Sequence, residues 1–137
     1  MKKSVTKELR FPQPREEVWR AISNREALAE WMYPNDFEAK LGHRFTFQIP
    51  ANPQARFEGM AVQCEVLACD PPQTLSFSWA AMGVHTRVDY RLEVDGAGTK
   101  VFFEQSGFEQ ENAYQGAQYG WTHMHGKLGD LLQRGMA

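Results

Sequence analysis

The chain has 137 residues, 42% hydrophobic and 23% charged, with a formal net charge of −2 and negative mean hydropathy. That length and balance suit one soluble domain spanning residues 1–137, and exclude a collagen-like, disordered or membrane-spanning chain. Lysine and arginine are interleaved with aspartate and glutamate throughout, so the basic stripe that a nucleic-acid binder needs to neutralise phosphates is missing.

The opening Met1-Lys2-Lys3 is basic, but no apolar stretch follows, so export is not expected and a cytoplasmic location is. Val5 to Phe11 reads as an exposed strand, closed by Pro12 and Pro14. Pro14 suits the first position of a helix, with Glu16 and Glu17 in its first turn and Val18, Trp19 and Ile22 on one face. Ser23-Asn24-Arg25-Glu26 matches a capping box and opens a second short helix, whose Leu28, Trp31 and Met32 share a face.

From about Asp36 to Ser106 strands dominate. Phe45, Phe47 and Ile49 alternate with polar residues, and Phe57 to Leu67 forms a long strand presenting Met60, Val62, Cys64 and Val66 on one side. Asp70-Pro71-Pro72 makes a turn, and Leu75, Phe77 and Trp79 alternate next. Val88, Tyr90, Leu92 and Val94 follow, then a hairpin at Asp95-Gly96-Ala97-Gly98, then Thr99, Val101 and Phe103. Such alternation marks antiparallel strands with one wet and one dry face. Cys64 and Cys69 share one extended segment, where about 3.3 Å per residue holds their Cα atoms roughly 16 Å apart, beyond disulfide reach.

Gln110 to Gln133 reads as a long helix. Ala113, Ala117, Trp121, Met124, Leu128 and Leu131 form one continuous apolar stripe. Gly116, Gly120, Gly126 and Gly129 interrupt it, each costing about 1 kcal/mol against alanine in a helix interior. Gly116 and Gly120 lie beside the stripe, where they would permit close approach of a neighbour. Gly126 falls on the solvent side, where close approach does not account for it. A one-faced sheet and an amphipathic helix must bury these surfaces against each other, which predicts an α+β fold with the sheet wrapped around the helix.

No Gly-x-Ser-x-Gly elbow, HExxH or phosphate loop is present. His123 and His125 sit two apart on a helix and point about 200° apart, so one metal ion cannot take both. His123 is expected in solvent and His125 at the edge of the stripe. Polar residues in phase with the inner face are few: Gln105, Tyr114, His125 and, at a strand start, Glu58, with the sheet edge in water as its other reading. The aromatic set Trp31, Phe45, Phe47, Trp79, Tyr90, Phe103, Phe108 and Trp121 reads on its own as ordinary core. Met60 and Met124 are adaptable gap-fillers within it.

The chain resembles the activator of heat-shock-protein-90 ATPase homologue-like branch of the START-related (SRPBCC) superfamily. The carriers are Pro14-Arg15-Glu16-Glu17-Val18-Trp19, Leu28 with Trp31, Leu41-Gly42, Gly59, and Asp70-Pro71-Pro72 with Leu75 and Trp79. Gly98-Thr99, Gly107-Phe108, and Gly120-Trp121 with Leu128 and Leu132 complete them. Two positions depart from the pattern: Gly42-His43 stands where Gly-Gly is usual, and Gln105 where a histidine is. The resemblance implies a helix-grip fold: a curved antiparallel sheet of about six to seven strands around the C-terminal helix, with two short helices after the first strand. It also implies an apolar cavity between sheet and helix.

With that cavity, the expected ligand-lining set is Trp31, Phe45, Phe47, Met60, Trp79, Tyr90, Phe103, Gln105, Phe108, Trp121, Met124, His125 and Leu128. The expected function is non-catalytic binding of an apolar or aromatic small molecule, by a monomer or weak homodimer without metal or cofactor. The rival readings are a co-chaperone-like module acting on a heat-shock ATPase, with a link to the stress response, and a weak cyclase- or hydrolase-like enzyme.

Overall fold

In the computed structural model, which describes residues 2–135, the elements run β1 (Lys3–Phe11), α1 (Arg15–Ser23), α2 (Arg25–Trp31), β2 (Arg44–Ile49) and β3 (Met60–Asp70). β4 (Thr74–Ala81), β5 (Val84–Asp95), β6 (Gly98–Phe108) and α3 (Glu111–Arg134) follow. The strands form one antiparallel sheet in the order β1-β6-β5-β4-β3-β2, so the N-terminal strand pairs with the last one. Register puts Leu75, Tyr90, Phe103 and Lys7 in one row across the inner face. Ser76, Asp89, Glu104 and Thr6 form the adjoining row on the outer face. Period-two alternation in the sequence thus becomes a dry concave side and a wet convex one.

The dry side closes on α3. Trp121, Met124, Leu128, Leu131 and Leu132 are buried there, each large apolar side chain contributing about 1.5–3 kcal/mol relative to exposure. Gly135 ends the helix at φ 75, its N–H reaching back to Leu131 and Leu132, a left-handed cap that a side chain would strain. α1 and α2 plug one end of the curl through Val18, Trp19, Ile22, Leu28 and Trp31. The buried Trp31 indole N–H donates to the Ala21 carbonyl at 2.8 Å and ties the two helices together.

Several boundaries differ from the sequence reading. The α2 cap is Asn24, not Ser23: Asn24 Oδ1 accepts from Ala27 N at 2.9 Å, while Ser23 closes α1 and donates to the Trp19 carbonyl at 2.6 Å. Pro14 is the residue before α1 rather than its first turn. β2 begins only at Arg44, and β3 at Met60 rather than Phe57, because Gly59 turns the chain at φ 90. A Cβ there would sit 2.9 Å from the Ile49 carbonyl. Gly116 and Gly120 do not serve close approach: a Cβ on either would meet nothing within 4 Å.

Candidate apolar groove

Helix α3 changes character along its length. From Trp121 onward large side chains reach the sheet, whereas Ala113, Gly116, Ala117 and Gly120 before it leave the space in front of β3, β4 and the β4–β5 turn unfilled. The result is a groove of about 270 Å³. Met60, Trp79, Phe108, Trp121 and Met124 line it with Tyr33, Ala81 and Val84, and Gln105 adds a polar group. At its mouth the β4–β5 turn is built from Met82 and Gly83 at φ 51 and 79, with Met82 80% exposed. A left-handed methionine costs about 1–2 kcal/mol of backbone strain.

The wall is held by a buried chain of hydrogen bonds. The Trp121 indole N–H donates to Gln105 Oε1, Gln105 Nε2 donates to Thr86 Oγ1 at 2.8 Å, and that hydroxyl donates to the Trp79 carbonyl at 3.2 Å. Each polar atom so used escapes the penalty of burial without a partner. The Trp79 and Trp121 rings meet at 5.6 Å between centroids, tilted by 59°. One indole is half-buried and the other buried, so an aromatic surface remains open beside a fixed one.

Of the residues singled out in the sequence, Met60, Trp79, Gln105, Phe108, Trp121 and Met124 meet at this groove. Trp31, Phe45, Phe47, Tyr90, Phe103, His125 and Leu128 are buried elsewhere in the core and do not line it. Tyr114 turns toward Lys3, whose ammonium lies 5.0 Å from its ring centre. Glu58 and His123 are exposed. The groove residues that pattern reading passed over are small or flanking: Tyr33, Ala81, Met82 and Val84, while Gly116 and Gly120 were noticed but assigned to close approach. The glycines did signal it, because a helix that tolerates Gly116 and Gly120 without a close neighbour is keeping volume free.

Deeper in the core His125 sits beside Tyr90, Phe103, Trp31 and Trp121, with ring centroids at 4.7–6.0 Å. Tyr90 Oη and His125 Nε2 are 2.9 Å apart. Burial, with the Lys7 ammonium nearby, pulls the imidazole pKa down to about 3, so the ring is neutral at ordinary pH. Burial pushes the Tyr90 phenol well up and the Cys64 thiol up to about 12, with Asp36 adding to the latter. Neither supplies a nucleophile. Among the described residues no three His, Cys, Asp or Glu side chains come together as metal ligands, and no helix is long and apolar enough to cross a membrane. A larger depression, about 550 Å³, lies on the outer sheet face over Ser76, Asp89, Arg91, Phe102 and Glu104. Its charged, solvated walls set it apart from the groove.

A single long helix gripped by a six-stranded antiparallel sheet, with two short helices after the first strand, is the START-like helix-grip architecture. The chain belongs to the Activator of Hsp90 ATPase homolog 1-like protein family, which it matches over residues 12–133, within the START-related superfamily. Its structure is similar to that of protein MLL2253 from Mesorhizobium loti, at 35% identity and TM-score 0.87, over 96% of this chain and 98% of that one. Protein BH1534 from Bacillus halodurans is 30% identical, with TM-score 0.77 over 94% and 96% of the two chains. CalU16 from Micromonospora echinospora shares the fold at 24% identity, with TM-score 0.80 over 98% and 79%. No match was found among curated proteins.

Proposed function

We propose that the protein binds an apolar or aromatic small molecule in the groove between Trp79 and Trp121, without transforming it. The supporting observation is the groove itself: about 270 Å³ of mostly apolar space, kept open by Gly116 and Gly120 where other side chains would fill it. An unfilled apolar wall lacks dispersion partners, and a ligand supplies them. Burying some 200 Å² of ligand carbon contributes about 5 kcal/mol at 25 cal/mol per Å², before association costs bring affinity toward micromolar. Gln105 and the half-buried Tyr33 phenol, whose pKa burial raises, offer polar contacts to orient the ligand. The two unpaired thiols, Cys64 and Cys69, support action in a reducing, cytoplasmic setting.

The test is titration with a panel of planar aromatics and fatty acids, following tryptophan emission, on the parent protein and on Gly120→Leu and Met124→Trp. Saturable spectral change in the parent, lost in both plugged variants while their melts remain cooperative, supports the reading. A panel without binders sinks it. Action on a heat-shock ATPase then becomes the leading reading, supported by family membership and tested by ATPase stimulation.

A further inference from the structure

A second hollow, about 260 Å³, opens on the other flank of α3, walled by Lys7, Leu9 and Phe11 of β1 and by Thr122, His125 and Gly126 of α3, with Arg10 also bordering it. Three features mark it out. Lys7 occupies an inner-face position between Val5 and Leu9, where alternation otherwise places apolar side chains. Its ammonium donates to the neutral Thr122 hydroxyl at 2.7 Å, and among the described residues no carboxylate pairs with it; neighbouring Glu8 is engaged by Lys100 and Arg10. Gly126 stands in the middle of α3, where a Cβ would meet nothing within 4 Å, so crowding does not require it. Its missing side chain leaves room beside β1.

The third feature is His125, 5% exposed. Among the described residues the Tyr90 hydroxyl has no other acceptor, so it is assigned as donor to Nε2, which puts the ring proton on Nδ1. Nδ1 is buried without a hydrogen-bond partner. An ammonium lacking a counter-charge thus borders a largely apolar hollow, and the His125 ring, with its unpartnered Nδ1 buried, forms part of the wall.

We propose that this hollow binds a small monocarboxylate with an apolar body, its carboxylate against the Lys7 ammonium, which Thr122 holds in place, and its body against Leu9 and Phe11. Arg10 lies 3.9 Å from the Glu8 carboxylate, which leaves Lys7 as the cation there without an acidic partner, and the remaining N–H groups of its ammonium suit a carboxylate's acceptor-only oxygens. The apolar remainder of the wall gives a bare inorganic anion nothing to gain. The volume suits a molecule the size of benzoate or hexanoate.

The experiment is a titration of isotope-labelled protein with sodium benzoate and sodium hexanoate at constant ionic strength. Benzyl alcohol and sodium phosphate serve as neutral and inorganic controls. Saturable shifts at Leu9, Phe11, Thr122 and Gly126 and in the His125 ring are expected with the carboxylates and with neither control. Lys7→Met should weaken binding about tenfold or more, since it removes a charge-assisted bond. Gly126→Leu, which fills the space from an exposed helix position, should abolish binding while the melt stays cooperative and Tm does not fall. Should Lys7→Met lose the fold, Lys7→Gln provides the same charge deletion. The proposal is overturned by the absence of saturable shifts, by shifts confined to Tyr33, Trp79 and Gly116 in the first groove, or by unchanged affinity in the Lys7 variant. Equal binding of phosphate would overturn the monocarboxylate assignment as well.

Discussion

The two halves of α3 carry the same helical periodicity yet do opposite work. From Trp121 to Leu132 the inward positions hold Trp121, Met124, His125, Leu128, Leu131 and Leu132, all buried. From Ala113 to Gly120 the positions facing the groove, Ala113, Gly116, Ala117 and Gly120, hold only alanine and glycine, partly buried or exposed, while Tyr114 packs to the side against Phe108. Hydrophobic period alone therefore does not decide whether a helix face is core or wall. Side-chain volume at the inward positions decides it, because Met60, Trp79 and Phe108 give the N-terminal half an apolar sheet surface too.

The comparison breaks most visibly under acid. His125 titrates near 3 in the fold and near 6.5 when unfolded, so the unfolded chain binds the proton first as pH falls. Stability is then full above about 6.5 and declines through the window down to about 3, by roughly 1.4 kcal/mol per pH unit and on the order of 5 kcal/mol in all. Denaturant melts at successive pH values should show this slope, and His125→Phe should flatten it. An equal slope in the variant would mean that the C-terminal half is not the acid-sensitive one.

Leu128→Ala, at a fully buried position, should cost about 2–5 kcal/mol by leaving a cavity. Trp121→Phe at the junction of the halves strips Gln105 Oε1 of its donor, and should cost about 1–3 kcal/mol while blunting any tryptophan signal of ligand binding. Gly120→Ala has the smallest expected effect and the opposite sign. Its Cβ meets nothing, so the helix should gain about 1 kcal/mol, read as a raised Tm, while the groove narrows. A destabilised Gly120→Ala would show that this glycine is needed for packing after all.

How much of this was legible differs between fold and site. Clean alternation at Val88–Val94 and Leu75–Trp79 and the Trp121–Leu131 stripe pointed to the sheet and its helix, since both signals come from periodicity. The shift of the α2 cap by one residue was not legible, because Ser23 and Asn24 are both competent caps and only the exit of α1 chooses between them. At the groove, bulky residues drew attention that the small ones deserved. Phe45 and Phe47 face inward as strongly as Trp79 does, yet meet edge to face at 5.4 Å and leave no space. Phe37 adds an edge-on ring 5.0 Å from Phe45. A void is set by what is missing, and composition shows only what is present.

The pairing of β1 with β6 has a consequence for synthesis. Leu9 finds its partner Val101 only after the intervening chain has been made. At about 5–20 residues per second, a nascent β1 waits for several seconds with Val5, Leu9 and Phe11 uncovered, and longer still for α3. Closure across such a sequence distance is also entropically late, so the sheet is expected to assemble from its β3–β5 middle outward. The first of these six strands to be synthesised is thus among the last to be seated, which makes its hydrophobic side a surface open to a nascent-chain chaperone.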